Sequence, residues 1–251
     1  MDYGYQLLRH VVQQVFGNLA QAARLTLLLT LIPSLLLIVT NPGVMTGAAI
    51  DPTQPGAIGV NWSMLMLAAA LSVVAWCWAA VGWHRYVLLE EMGNGVVPMW
   101  NGTRIWNYFT AALIVGLVVL GVAFGLGLVI GFVVVLLPSP MVAGFLGIGL
   151  VVGVLWISAR IGLILPAAAL GQPLRVSESW AVTAPVSGQI LLPVLVIAVV
   201  GGVVSQVVHM ILGMTIAAAL VNVGVSWLQL LMNLGLMTTL YGNLIEGRQM
   251  N

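Results

Sequence analysis

AALIVGLVVLGVAFGLGLVIGFVVVLL, residues Ala111–Leu137, is the stretch on which the fold turns. It runs for 27 residues without one polar side chain. A helix of that length rises about 40 Å, more than the ~30 Å of a bilayer's hydrocarbon layer, so it spans a membrane and must tilt or extend past the core. The rest of the chain repeats the pattern. Of 251 residues, 61% are hydrophobic and 5% charged, with a formal charge of +1; an ordinary soluble domain carries roughly a quarter charged residues. Six apolar segments, about 21–40, 62–90, 108–137, 141–170, 189–212 and 216–245, each supply the ~20 helical residues a crossing takes.

Ahead of them, residues 1–20 place Leu8, Val11, Val12, Val15, Phe16 and Leu19 at helical spacing, with Gln6, Arg9, His10, Gln13, Gln14 and Asn18 opposite. The expected fold is therefore all-α: a single membrane domain over residues 1–251, an integral bundle of six transmembrane helices with an N-terminal interfacial amphipathic helix. The run Leu25–Val39 reads as the first span and not as a signal peptide cleaved near Thr46-Gly47-Ala48, because the residues before it are long and amphipathic rather than simply basic.

The connections fix an orientation. Pro138-Ser139-Pro140 and Gly213-Met214-Thr215 leave room only for tight turns, and the 41–60 loop carries Asp51 as its sole charge. The 91–107 and 171–188 loops hold charges and tryptophans. There is no lysine, and with the N-terminus inside, Arg9, Arg24, Arg85, Arg104, Arg160, Arg175 and Arg248 all fall on the cytoplasmic side. Trp83, Trp100, Trp106 and Trp180 cluster at the same level, where amphipathic rings sit. The expected location is a bacterial inner membrane, crossed several times, with both termini cytoplasmic.

Two patterns stand out inside the spans. Glycines recur four apart as Gly121/Gly125, Gly127/Gly131 and Gly149/Gly153, a spacing that lets helix backbones approach closely. They would hold the third and fourth spans together within one subunit, or form a homo-oligomer face. In the last span Asn222, Ser226, Gln229 and Asn233 form one polar stripe, which must face protein or water rather than lipid. Its candidate partners are Thr26, Thr30 and Ser34 in the first span and Ser205, Gln206 and His209 in the fifth. The stripe is either interhelical bonding or the lining of a solute path.

Reactive constellations are missing. No Asp, Glu, Lys or Arg lies near the middle of a span, which disfavours a proton-coupled carrier. His10, His84 and His209 fall on separate segments, and no metal, nucleotide or nucleophile motif accompanies them. No cofactor is implied, and no basic patch standing in water invites nucleic acid. Cys77, the only cysteine, reads as a small buried hydrophobe. His84 and Arg85, followed by Glu90 and Glu91, form the densest polar cluster; it reads as side chains snorkelling and neutralising one another at a helix end, or as contact with lipid headgroups.

Three stretches carry a resemblance: AWCWAAVGWHRYVLLEE at Ala75–Glu91, ARIGLILPAAALGQPLRVSESWAVTA at Ala159–Ala184, and the C-terminal TTLYGNLIEGR. They resemble alphaproteobacterial integral membrane proteins akin to the glycerophosphodiester phosphodiesterase membrane-domain family, in which a span ends in an arginine and a Leu-Pro-Ala step before a loop with a Glu-Ser-Trp helix start. Here these are Arg160, Leu165-Pro166-Ala167 and Glu178-Ser179-Trp180. The likeness implies a membrane part without the soluble phosphodiesterase, and it carries no catalytic residue over. The expected function is thus a non-enzymatic accessory or assembly subunit or a lipid-organising scaffold, the alternative being a channel or transporter for a small neutral or lipid-like solute along the polar stripe. Expected partners are membrane lipids, including anionic phospholipid, and a larger complex or a second copy held by the glycine-rich helices.

Finally, residues 85–99 overlay 160–174 at an offset of 75, matching Arg85 with Arg160, Leu88 with Leu163 and Pro98 with Pro173, while Trp106 and Trp180 correspond after a one-residue slip. A parallel internal repeat would follow, with Arg85 and Arg160 as quasi-equivalent contacts for anionic lipid.

Overall fold

The computed structural model describes residues 2–46, 60–93 and 95–250. Asp51 and the Gly47-Ala48 pair lie outside them. The helices are α1 (Tyr3–Gly17), α2 (Leu19–Thr40), α3 (Pro42–Thr46), α4 (Trp62–Leu89), α5 (Gly102–Leu136), α6 (Pro140–Ile161), α7 (Ile164–Leu170), α8 (Val176–Val182), α9 (Leu191–Leu212) and α10 (Ile216–Leu244), with a 3-10 turn at Ala184–Val186. Six of these stretches are long and apolar enough to cross a membrane: α2, α4, α5, α6 continued by α7, α9 and α10.

Local chemistry sets the boundaries. α5 begins at Gly102, ahead of the expected 108, because the Asn101 side chain accepts the Arg104 N–H at 3.1 Å and caps the first turn. The fourth span is two helices rather than one. Pro166 has no N–H to offer the Gly162 carbonyl and its ring crowds that group; Leu165 N–H reaches the same oxygen at 3.0 Å instead. The Leu165-Pro166-Ala167 step therefore starts the short α7, which Gly171 closes at φ 80.

α1 is amphipathic in a more specific way than its sequence pattern suggests. Leu7, Val11 and Val15 are wholly buried, in clusters that include Ile190, Val194, Leu231 and Leu236 of the bundle. The approach to α10 is close: a Cβ on Gly235 would come within 3.2 Å of both Val15 and the Gln14 amide oxygen. Val12 and Phe16, on the neighbouring stripe, stay exposed. The helix thus docks on the bundle with one apolar stripe and turns a second outward.

The core is concentrated at one end. Two adjoining clusters join Leu7, Leu88, Leu163, Leu236 and Tyr241 to Cys77, Trp83, Ile105, Tyr108 and Leu234. α5 buries only Ile105, Tyr108 and Ala111, and α6 only Ala159, Arg160 and Ile161. Beyond these bases the α5–α6 hairpin stands apart from the other spans, with Phe124, Phe132, Val135, Met141 and Phe145 at least 66% exposed.

This corrects the expected glycine packing. A Cβ added to Gly121, Gly125, Gly127, Gly131, Gly149 or Gly153 would meet nothing within 4 Å. At about 100° per residue, the two glycine pairs of α5 each lie roughly 120° around the helix from the face that Ile105, Tyr108 and Ala111 bury. The base of the hairpin sets its rotation, and the glycines turn outward.

Candidate functional site

Two polar regions remain: the end that gathers the arginines, and the stripe along α10. At the first, guanidinium groups bond mainly to backbone carbonyls. Arg24 donates to Gly95 O at 2.7 Å and Gly93 O at 3.1 Å, Arg85 to Ala169 O at 3.2 Å, Arg248 to Leu88 O at 2.6 Å and Arg160 to Trp180 O at 2.5 Å. Leu88, Ala169 and Trp180 belong to the last turns of α4, α7 and α8, whose carbonyls have no helical donor and carry the negative end of the helix dipole. Arg85 also pairs with Glu91, while Glu90 takes the left-handed C-cap of α4. Tyr3 O–H donates to Asn243 Oδ1 at 2.9 Å, which brings the two ends of the described chain to the same side. Burial pushes the Tyr3 phenol up to about 12.

The three residues expected at lipid headgroups separate here. His84 is wholly buried, so no headgroup reaches it. Its Nδ1 lies 2.8 Å from Thr238 Oγ1, and that hydroxyl already donates to Leu234 O at 2.6 Å. The proton between them must therefore sit on Nδ1, leaving Nε2 as a buried acceptor without a partner among the described residues. Arg160 is 5% exposed, its guanidinium 3.7 Å from the Trp180 ring centroid and its Nε bonded to Thr183 Oγ1 at 3.2 Å. It clamps α8 to α6. Only Arg85 keeps a part-exposed side chain. Asn101 and Arg175, which correspond under the one-residue slip, are both N-caps; Arg85 and Arg160 each donate to a carbonyl in the last turn of a short helix, and differ in their side-chain partners, Glu91 for the first and Thr183 with the Trp180 ring for the second.

The stripe on α10 divides in the same way. Asn222 is consumed by α9: Ser205 Oγ donates to its Oδ1 at 2.6 Å, and its Nδ2 faces His209 Nε2 at 3.1 Å. Asn233 is exposed and donates to Gln229 O within its own helix at 2.8 Å. Thr26, Thr30 and Ser34 donate to carbonyls one turn back in α2, and the contact they do supply across helices is to Trp227 Nε1, which donates to Thr26 Oγ1 at 2.8 Å. The Gln229 carboxamide and the exposed Ser226 hydroxyl are not taken up by the bonds that occupy Asn222 and Asn233. Both border a cleft of about 260 Å³ that Thr30 and Ser34 line from α2. Gln229 also borders a second cleft of about 330 Å³ between α1, α9 and α10. Gly201 makes room for it, since a Cβ there would lie 2.6 Å from the carboxamide carbon. Gly201 was not legible as a site residue; only the pairing of mid-span positions on consecutive spans hints at it.

A bundle of this kind is a multi-pass α-helical membrane protein. No family model, no curated protein and no solved structure matches the chain.

Proposed function

We propose that this is a non-enzymatic component of a bacterial inner membrane, with both termini cytoplasmic, serving as an assembly subunit that receives another membrane segment on its α5–α6 hairpin. The supporting observation is the hairpin's nine glycines between residues 116 and 153, none with a neighbour within 4 Å of a Cβ position. A helical glycine costs roughly 0.5–1 kcal/mol relative to alanine. That cost is offset when a second backbone packs closely against it, and the described residues supply none. A continuous conduit along α10 is less well supported, because Asn222 and Asn233 are already bonded.

The test is photo-crosslinking from Phe124 and Val129 in native membranes, followed by mass spectrometry. A defined protein adduct, lost in a Gly121→Leu/Gly125→Leu variant whose thermal melt is unchanged, is the expected result. Adducts with lipid alone would overturn the reading.

A further inference from the structure

The end that gathers the arginines holds a cleft of about 230 Å³ between α1, α4, α10 and the tail that follows α10. Hydrogen bonds shape it from both ends of the described chain. The Asn243 side chain is held twice: its Oδ1 accepts from Tyr3 O–H at 2.9 Å, and its Nδ2 donates to Arg248 O at 2.8 Å. Arg248 N–H reaches back to Gly242 O at 2.8 Å, and a Cβ on Gly242 would come within 3.3 Å of the Arg248 Cδ. The tail is thereby laid against the end of α10, so that Arg248 and Gln249 line the cleft together with Gln14 of α1.

The polar groups on this lining are mainly donors. Gln14 Oε1 accepts from Thr239 Oγ1 at 3.4 Å, which leaves its N–H2 as the part of the amide to meet an occupant. Arg248 gives Nε to Glu246 and Nη2 to Leu88 O, each at 2.6 Å, and neither bond engages Nη1. The guanidinium is the permanent charge on the lining, and no carboxylate borders the cleft among the described residues. Glu246 pairs with it from outside. The Arg248 side chain is 49% exposed, so water screens that pair, and Glu246 weakens the pull on a second anion without cancelling it.

We propose that this cleft binds a phosphate group, with Arg248 Nη1 and the Gln14 N–H2 donating to its oxygens and the Gln249 amide as a further donor at the rim. The occupant follows from charge, size and level. An arginine beside amide donors, with no acid among them, matches the acceptor oxygens of a phosphate. The volume lies below the ~300 Å³ at which pockets for whole small molecules begin, so a single group is received. The cleft also opens among the arginine-bearing helix ends, the level at which lipid phosphates lie. Two sources share this chemistry, a phospholipid headgroup and a phosphate free in solution. Val87, Leu88 and Met250 on the wall favour the lipid, whose glycerol would run along them. The site uses none of His84, Arg85 or Arg160, and it is independent of what the hairpin binds.

The experiment titrates the full chain in detergent, by calorimetry, with inorganic phosphate, with dihexanoyl phosphatidic acid and with dihexanoylglycerol, which lacks the phosphate. The expected result is saturable binding of the phosphatidic acid, about tenfold tighter than inorganic phosphate, and none of dihexanoylglycerol. Equal affinities for the two phosphates would uphold the site and assign it to free phosphate. Arg248→Met should weaken both about tenfold, the weight of one charge-assisted hydrogen bond. Gln249→Glu, at an exposed position, sets a carboxylate on the rim without removing a buried contact. It should do the same at an unchanged melting temperature, and it decides the matter if Arg248→Met loosens the tail. Dihexanoylglycerol binding as tightly as the phosphatidic acid, no binding of either phosphate, or binding that Gln249→Glu leaves unchanged would overturn the proposal.

Discussion

Glu90 is the described residue other than glycine with a positive φ, at 54°. An L side chain in this region costs about 1 kcal/mol that glycine does not. Its N–H closes α4 on Arg85 O and its side chain is exposed, so the conformation is required and the carboxylate is not. Glu90→Gly should raise the melting temperature in detergent by about 2 °C; a fall would mean the carboxylate matters more than the backbone. Tyr3 shows the reverse relation between residue and surroundings. Its phenol is raised from 10.0 to about 12, so the folded state holds the proton more tightly than the unfolded one. The stability it lends is complete below about pH 10 and disappears as pH rises through about 12. Melts across that window should show a decline that Tyr3→Phe reduces, and an identical decline in both proteins would place the titration elsewhere.

The two apolar stripes of α1 can be separated by substitution. Leu7→Ala removes a fully buried side chain and should destabilise by about 2–3 kcal/mol, whereas Phe16→Ala, half exposed, should cost well under 1 kcal/mol. Urea titration of both in detergent checks this, and equal losses would contradict the docking seen here. Leu7 also marks how far the sequence can be read. Periodicity identified α1 and all six spans, because the bilayer imposes length and apolarity on every crossing. It did not single out Leu7, since which apolar stripe meets protein and which meets lipid depends on the partner helix. The same gap explains the glycines and the arginines. Small residues four apart announce a close contact without saying with whom, and an arginine at a span's end reads as topology when it also bonds a carbonyl such as Leu88 O. Within the polar stripe, Asn222 found the expected Ser205 and His209, whereas the hydroxyls of α2 turned to their own backbone. Local geometry won there because the carbonyl one turn back is always in reach.

Across the whole molecule, long-range bonds of Arg24, Arg85, Arg160 and Arg248 tie the helix ends together on one side. With that side cytoplasmic, single cysteines at Ser139 and Met214 should react with an impermeant maleimide added to the periplasm, and those at Gly95 and Glu178 should not. Native Cys77 is buried and should remain silent. Labelling of position 95 from outside would reverse the orientation. The same concentration of bonds has a mechanical side. The α5–α6 hairpin is anchored at its base, by Ile105, Tyr108 and Ala111 of α5, by Ala159, Ile161 and the Arg160 clamp of α6, and by the Trp156 indole, which donates to Ser187 O at 2.9 Å; its far end is exposed. It is a cantilever. Spin labels at Ser139 and Thr215 should therefore give a broad distance distribution, and labels at Thr103 and Ser177, beside the anchor, a narrow one; two equally narrow distributions would show the arm to be rigid. Whatever leans on its tip at one face of the bilayer applies torque at the other, where Arg160 grips Trp180 and would pass the strain to α8.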